Sequence, residues 1–128
     1  MEKEVVVNLE RNTVPCFITP IVNVHWSDSD AMNEALSITI LAMEASDPGL
    51  QKSNVGGWHS QLDFLERGEA GIAELRGRLE AFAHALIKQF SRPGAEPGAR
   101  DLRLEAWANV LRHGQYNSVH NHPNALWS

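Results

Sequence analysis

The segment Leu102-Arg103-Leu104-Glu105-Ala106-Trp107-Ala108-Asn109-Val110-Leu111 decides the fold class. Successive side chains of an extended strand point to opposite faces. Leu102, Leu104, Ala106, Ala108 and Val110 therefore share one apolar face, and Arg103, Glu105, Trp107, Asn109 and Leu111 share a mixed one. The alternation predicts a strand over residues 100–113. Its mixed face can line a cavity with Trp107 and Asn109, although core packing competes as a role for Trp107.

Upstream, the period changes from two to between three and four. Ile72, Leu75, Leu79, Phe82, Leu86 and Phe90 form one stripe of a helix predicted over residues 69–90, with His84 off the stripe at the surface. An earlier helix runs to about residue 45, with Met32, Ala35, Leu36, Ile40 and Met43 along one face. Ser27-Asp28-Ser29-Asp30 offers oxygens to cap its start. β-Branched and aromatic residues at 5–9 and 17–26 predict two strands, and Pro15 and Pro20 place the second at an edge or a bend. Residues 51–60 form a polar, glycine-rich loop, ordered or mobile. Ser60 is a plausible cap for a short helix through Glu66, and residues 91–99 make a turn-forming connection. Helices packed on an antiparallel sheet make an α+β chain, organised as a single domain over residues 1–128.

Composition narrows the function classes. The 128 residues are 43% apolar and 21% charged, with net charge −5, which suits one globular domain. There is no basic stripe to neutralise phosphates, so nucleic acid is not an expected partner. No apolar run reaches bilayer length, so no membrane span is expected. The opening Met1-Glu2-Lys3-Glu4 lacks the layout of a signal peptide. A single cysteine, Cys16, cannot form an internal disulfide and fits a small buried hydrophobe in a cytoplasmic protein.

The chemistry concentrates in Tyr116-Asn117-Ser118-Val119-His120-Asn121-His122-Pro123. Residues i and i+2 of an extended segment share a face, so His120 and His122 can present two ring nitrogens to one metal ion. Imidazole serves iron, zinc, copper or nickel, and the pair alone names none of them. Two histidines also do not complete a site, because catalytic zinc and iron centres take three protein ligands. Solvated histidines in a polar tail are the competing reading. A His-x-His-x-Asp-His metallohydrolase is disfavoured, since Asn124 and Ala125 stand where Asp and His are needed. His25 and His113 are structural or surface residues.

Three segments together resemble a family of 2-oxoglutarate/Fe(II)-dependent oxygenases of bacteria and phages, whose fold is a double-stranded β-helix. They are Phe17-Ile18-Thr19-Pro20-Ile21; then Ser53-Asn54-Val55-Gly56-Gly57-Trp58-His59-Ser60; then Trp107-Ala108-Asn109, Gly114-Gln115-Tyr116-Asn117 and His120-Asn121-His122-Pro123. The resemblance implies an incomplete double-stranded β-helix (jelly-roll or cupin-like), the N-terminal portion of such a domain. It further implies Fe(II) and 2-oxoglutarate as cofactor and small-molecule co-substrate. The distal histidine and the basic anchor for the co-substrate carboxylate, which the family carries later, are not present in this chain. His120 is then the first metal ligand, while His122 occupies a position where related oxygenases place Asp or Glu. Three arrangements stay open: both histidines ligate, water replaces the carboxylate, or His122 ligates alone with His120 behind it. Trp58 and His59 are expected to cover the site or touch substrate, with a packing Trp and a structural His as the alternative.

The functional expectation is an oxygenase acting on an unidentified substrate, truncated and inactive by itself. The alternative is a non-catalytic binding or assembly module with incidental histidines. An incomplete sheet also carries unpaired edges, which makes a homo-oligomer plausible.

Overall fold

The computed structural model describes residues 19–90, 102–123 and 125. The chain is α+β. Helix α1 spans Asp30–Ser46, and a loop leads to β1 (Asn54–Val55) and β2 (Trp58–His59). A 3-10 turn at Phe64–Glu66 precedes helix α2 (Ala70–Phe90), after which come β3 (Asn109–Val110) and β4 (Tyr116–Asn117). The expected strand at residues 5–9 and the connection at 91–99 lie outside the described residues, as does Cys16.

The strands pair as two short antiparallel ladders, β1 with β4 and β2 with β3. Asn54 faces Asn117 and Val55 faces Tyr116, while Trp58 faces Val110 and His59 faces Asn109. These ladders are two parts of one ribbon in which the segment around residues 53–60 runs against residues 108–118. The backbone N–H of Ser60 donates to the Ala108 carbonyl (2.9 Å), and that of Ser118 donates to the Ser53 carbonyl (2.8 Å). Between the ladders, Gly56 and Gly57 stand opposite the longer excursion 111–115. Gly56 adopts φ 76°, and a Cβ on Gly57 would meet the Leu111 side chain and lie 2.9 Å from the Val110 carbonyl oxygen. The excursion turns at Gly114 (φ 83°), and the Gln115 side chain reaches back to the Gly56 carbonyl (2.5 Å).

Both helices bury the faces that their periodicity specifies. Ile72 is fully buried in a core with Trp58, Phe64, Leu65 and Ala108, against which Leu36, Ile40, Met43, Leu75 and Leu79 pack. The apolar strand face joins the same core through Leu104, Ala106, Ala108 and Val110. Burial falls along the stripe towards the end of α2, where Phe90 is 46% exposed.

Three expectations need correction. Residues 19–26 form no strand: Ile21 is 92% exposed, and Pro20 has no N–H to give to a ladder. This segment is instead held at Trp26 and Asp28 by Arg78 of α2. Its guanidinium lies 5.6 Å from the Trp26 ring centroid and 2.9 Å from the Asp28 carboxylate. The strand predicted over 100–113 is regular only at β3, with one bridge from Ala106 to Asp63, because its partner segment is short and broken by two glycines. Ser60 does not cap a helix. Its hydroxyl accepts from the Ala108 N–H (2.9 Å) and donates to the Gln61 carbonyl (2.8 Å). Ser29 does occupy the N-cap position of α1, but its hydroxyl donates to the Trp26 carbonyl rather than serving the helix N–H groups.

A two-pronged ion pair joins the 111–115 excursion to α1: Arg112 donates to both oxygens of Glu44 at 2.5 and 2.8 Å. Hydrogen bonding to Arg112 holds the Glu44 carboxyl below its usual range, and hydrogen bonding to Arg78 does the same for Asp28.

Two outcomes follow from this packing. Gly57→Ala should lower stability by about 1–3 kcal/mol, since the new methyl overpacks against backbone. Gly77→Ala should raise it by about 0.5–1 kcal/mol, since that helical position has open space around it. Urea midpoints of the two variants should move in opposite directions. The depressed carboxyls contribute stability that is complete above the ordinary carboxyl range and is lost as pH falls through their lowered values. The urea midpoint should therefore drop on acidification from pH 6 to 3, and less steeply in Glu44→Gln.

Candidate functional site

The ribbon places the ring-bearing residues on one side of the molecule. His59 at the end of β2, Trp107 just before β3, and His120 and His122 beyond β4 line one cavity of about 480 Å³. Lys52, Ser53, Leu62 and Ser118 complete the wall. This size falls within the usual range of small-molecule sites, roughly 300–1,000 Å³. Although the chain carries net charge −5, the described residues of this lining include no carboxylate.

The His59 and Trp107 rings stack with centroids 5.5 Å apart and planes 13° from parallel. The indole meets His122 edge-on at 5.3 Å, and His122 lies 4.9 Å from His120. His59 is only 3% exposed, and its Nδ1 sits 2.6 Å from the Ser60 carbonyl oxygen. A carbonyl accepts only, so Nδ1 carries a proton, and in the neutral ring Nε2 keeps its lone pair.

The same logic sets the tautomer of His120. Its Nδ1 is 2.8 Å from the Ser118 carbonyl oxygen, so Nδ1 donates and in the neutral ring Nε2 is bare. The Nε2 of His122 lies 2.9 Å from that bare nitrogen, close enough for a shared proton. The distance also suits a metal. Two nitrogens each about 2.1 Å from one ion are about 3.0 Å apart at adjacent octahedral corners and about 3.4 Å apart in a tetrahedron. Among the described residues no three His, Cys, Asp or Glu side chains converge, so the pair offers two corners of a coordination sphere.

The loop before β1 is ordered by its own polar groups. Buried Asn54 accepts from the Lys52 N–H (2.7 Å) and donates to the carbonyls of Leu50 (3.2 Å) and Gly57 (2.6 Å). This fixes the backbone from which Lys52 and Ser53 face the cavity. Ser118 is drawn to the same place through its hydrogen bonds to the Ser53 carbonyl.

Of the residues singled out in the sequence, His59, Trp107, His120 and His122 meet at one cavity. Trp58 does not join them: its ring is in the core, and its indole N–H donates to the Asp47 carbonyl (2.8 Å). Asn109 faces His59 across the ladder, is exposed, and is not part of the lining. Lys52, Ser53, Leu62 and Ser118 were not foreseen. Nothing local marks them, because strand pairing alone brings residues 52–53 next to 118. His25, His84 and His113 are exposed.

No protein-family profile, curated protein or solved structure matches this chain.

Ser60 joins the two halves of the cavity wall, so its hydroxyl is a sensitive position. Ser60→Ala leaves the buried Ala108 N–H without that acceptor, at a cost of about 1–3 kcal/mol. Urea unfolding should register the loss. Near-ultraviolet circular dichroism should change as well, since Trp107 and His59 flank the broken contact.

Proposed function

We propose that this chain is a 2-oxoglutarate- and Fe(II)-dependent oxygenase domain with a jelly-roll lineage, in which His120 and His122 hold the metal through their Nε2 atoms. The observation that carries this reading is the 2.9 Å separation of the two nitrogens beside a cavity of ligand size. A second support is spatial. The segments 53–60 and 107–117, which resemble the oxygenase family separately, are partners in one ribbon.

In this reading His120 is the better-prepared ligand, because the Ser118 carbonyl already holds its Nδ1 proton and orients its ring. His122 must give up the proton on Nε2 before it can ligate, and Trp107 restrains its ring from the side. With neutral imidazole ligands and no carboxylate among the described residues of the lining, the bound metal would keep its full positive charge. That arrangement favours an anionic co-substrate on the remaining coordination positions. The iron would supply oxygen activation, and the chain would supply orientation and partial exclusion of water.

The competing reading takes the same contact as an ordinary N–H···N hydrogen bond in a non-catalytic binding module. Anaerobic Fe(II) titration separates the two. One equivalent should bind, with affinity that weakens as pH falls because protons compete for the ring nitrogens. His120→Ala combined with His122→Ala should abolish binding while shifting stability by no more than about 0.5 kcal/mol, as expected of exposed side chains. If 2-oxoglutarate chelates the bound iron, linkage requires it to tighten Fe(II) binding. Acetate should not. Affinity unchanged by the double substitution would exclude this metal site, and affinity unchanged by 2-oxoglutarate would exclude the oxygenase.

A further inference from the structure

We propose that the cavity takes a small hydroxy-carboxylate with an apolar body, its carboxylate on Lys52 and its hydroxyl donating to His59 Nε2. The inference rests on reading the cavity as the substrate chamber, and it names the class of substrate. It does not depend on metal being bound.

His59 supplies the first observation. The ring is almost wholly buried, its Nδ1 is committed to the Ser60 carbonyl, and its Nε2 makes no hydrogen bond to any described residue. No fully buried side-chain nitrogen or oxygen among the described residues lacks a partner, so Nε2 keeps some accessible surface, and His59 is one of the residues lining the cavity. A bare imidazole nitrogen accepts a hydrogen bond. Leaving it unmatched when a ligand covers it would cost free energy, so the ligand that fits brings an O–H or N–H.

Lys52 supplies the second. Among the described residues it is the only formally charged one in the lining, and no described carboxylate pairs with its ammonium. The Asn54 side chain holds its backbone in place. One ammonium balances one negative charge, which suits a carboxylate better than a doubly charged phosphate. Leu62 and the Trp107 indole offer apolar surface for the rest of the ligand.

The test uses metal-free protein in the presence of chelator and the three monohydroxybenzoates as probes, which differ in the separation of hydroxyl from carboxylate. Binding is followed by calorimetry and by the imidazole signals of His59 in nuclear magnetic resonance spectra. At least one isomer should bind saturably and shift the His59 signals. Benzoate, which lacks the hydroxyl, should bind roughly fivefold more weakly or worse. Lys52→Met changes an exposed side chain and should weaken the best isomer by roughly tenfold or more. His59→Phe keeps a flat ring against Trp107 and should reduce that isomer to the affinity of benzoate. If this buried substitution unfolds the chain, the benzoate comparison on the unaltered protein decides the role of His59. Failure of all three isomers to saturate up to about 10 mM overturns the inference, as does affinity insensitive to Lys52→Met. Loss of Fe(II) capture with hydroxybenzoate binding retained would remove the metal centre and leave this site standing; the reverse result would do the opposite.

Discussion

The antiparallel pairing of residues 53–60 with residues 108–118 is the constraint on which the rest of this structure depends. It is a non-local contact, closing a loop that contains the whole of α2, so its loop-closure entropy must be offset by what the ribbon assembles. The offset comes from the core on one side, where Trp58 and Ala108 join Phe64, Leu65 and Ile72. On the other side the same pairing makes the cavity wall. A single backbone arrangement therefore serves stability and site together.

Two details show how closely the two are coupled. The ribbon is interrupted where Gly56 and Gly57 face the excursion 111–115, and no residue with a Cβ fits at 57 without displacing Leu111 or the Val110 carbonyl. That interruption lets the second strand shift register, so that β4 continues towards Ser118 and the histidines. The excursion itself is tied down by Arg112 to Glu44 on α1, so that helix helps set the course of the strand leading to the histidines. Ser60 is the corresponding link on the core side, with one hydroxyl serving two backbone groups.

The ring cluster owes its order to carbonyl oxygens rather than to charge. The Ser60 carbonyl fixes the proton of His59, and the Ser118 carbonyl fixes that of His120. In each neutral ring the lone pair is then on Nε2, which in His120 meets His122 Nε2 at 2.9 Å. One lies almost buried behind Trp107; the other is exposed beside His122. The cavity lining thus holds these two histidines in different surroundings, one buried and one exposed.

Much of this was legible in the chain itself. The period of α2 and the alternation after residue 102 determined the mixture of helix and strand and the faces that enter the core, because burial of apolar side chains follows directly from those periods. The His-x-His spacing determined that two imidazoles would be neighbours. What the tertiary structure alone decided was pairing: which segment faces residues 102–118, that Trp58 turns inward while His59 turns to the cavity, and that Lys52 and Ser118 meet. The apparent strand at residues 19–26 failed for the same reason. Strand propensity is a local property, but a strand exists only when another segment accepts its hydrogen bonds, and that choice is made across the chain rather than along it.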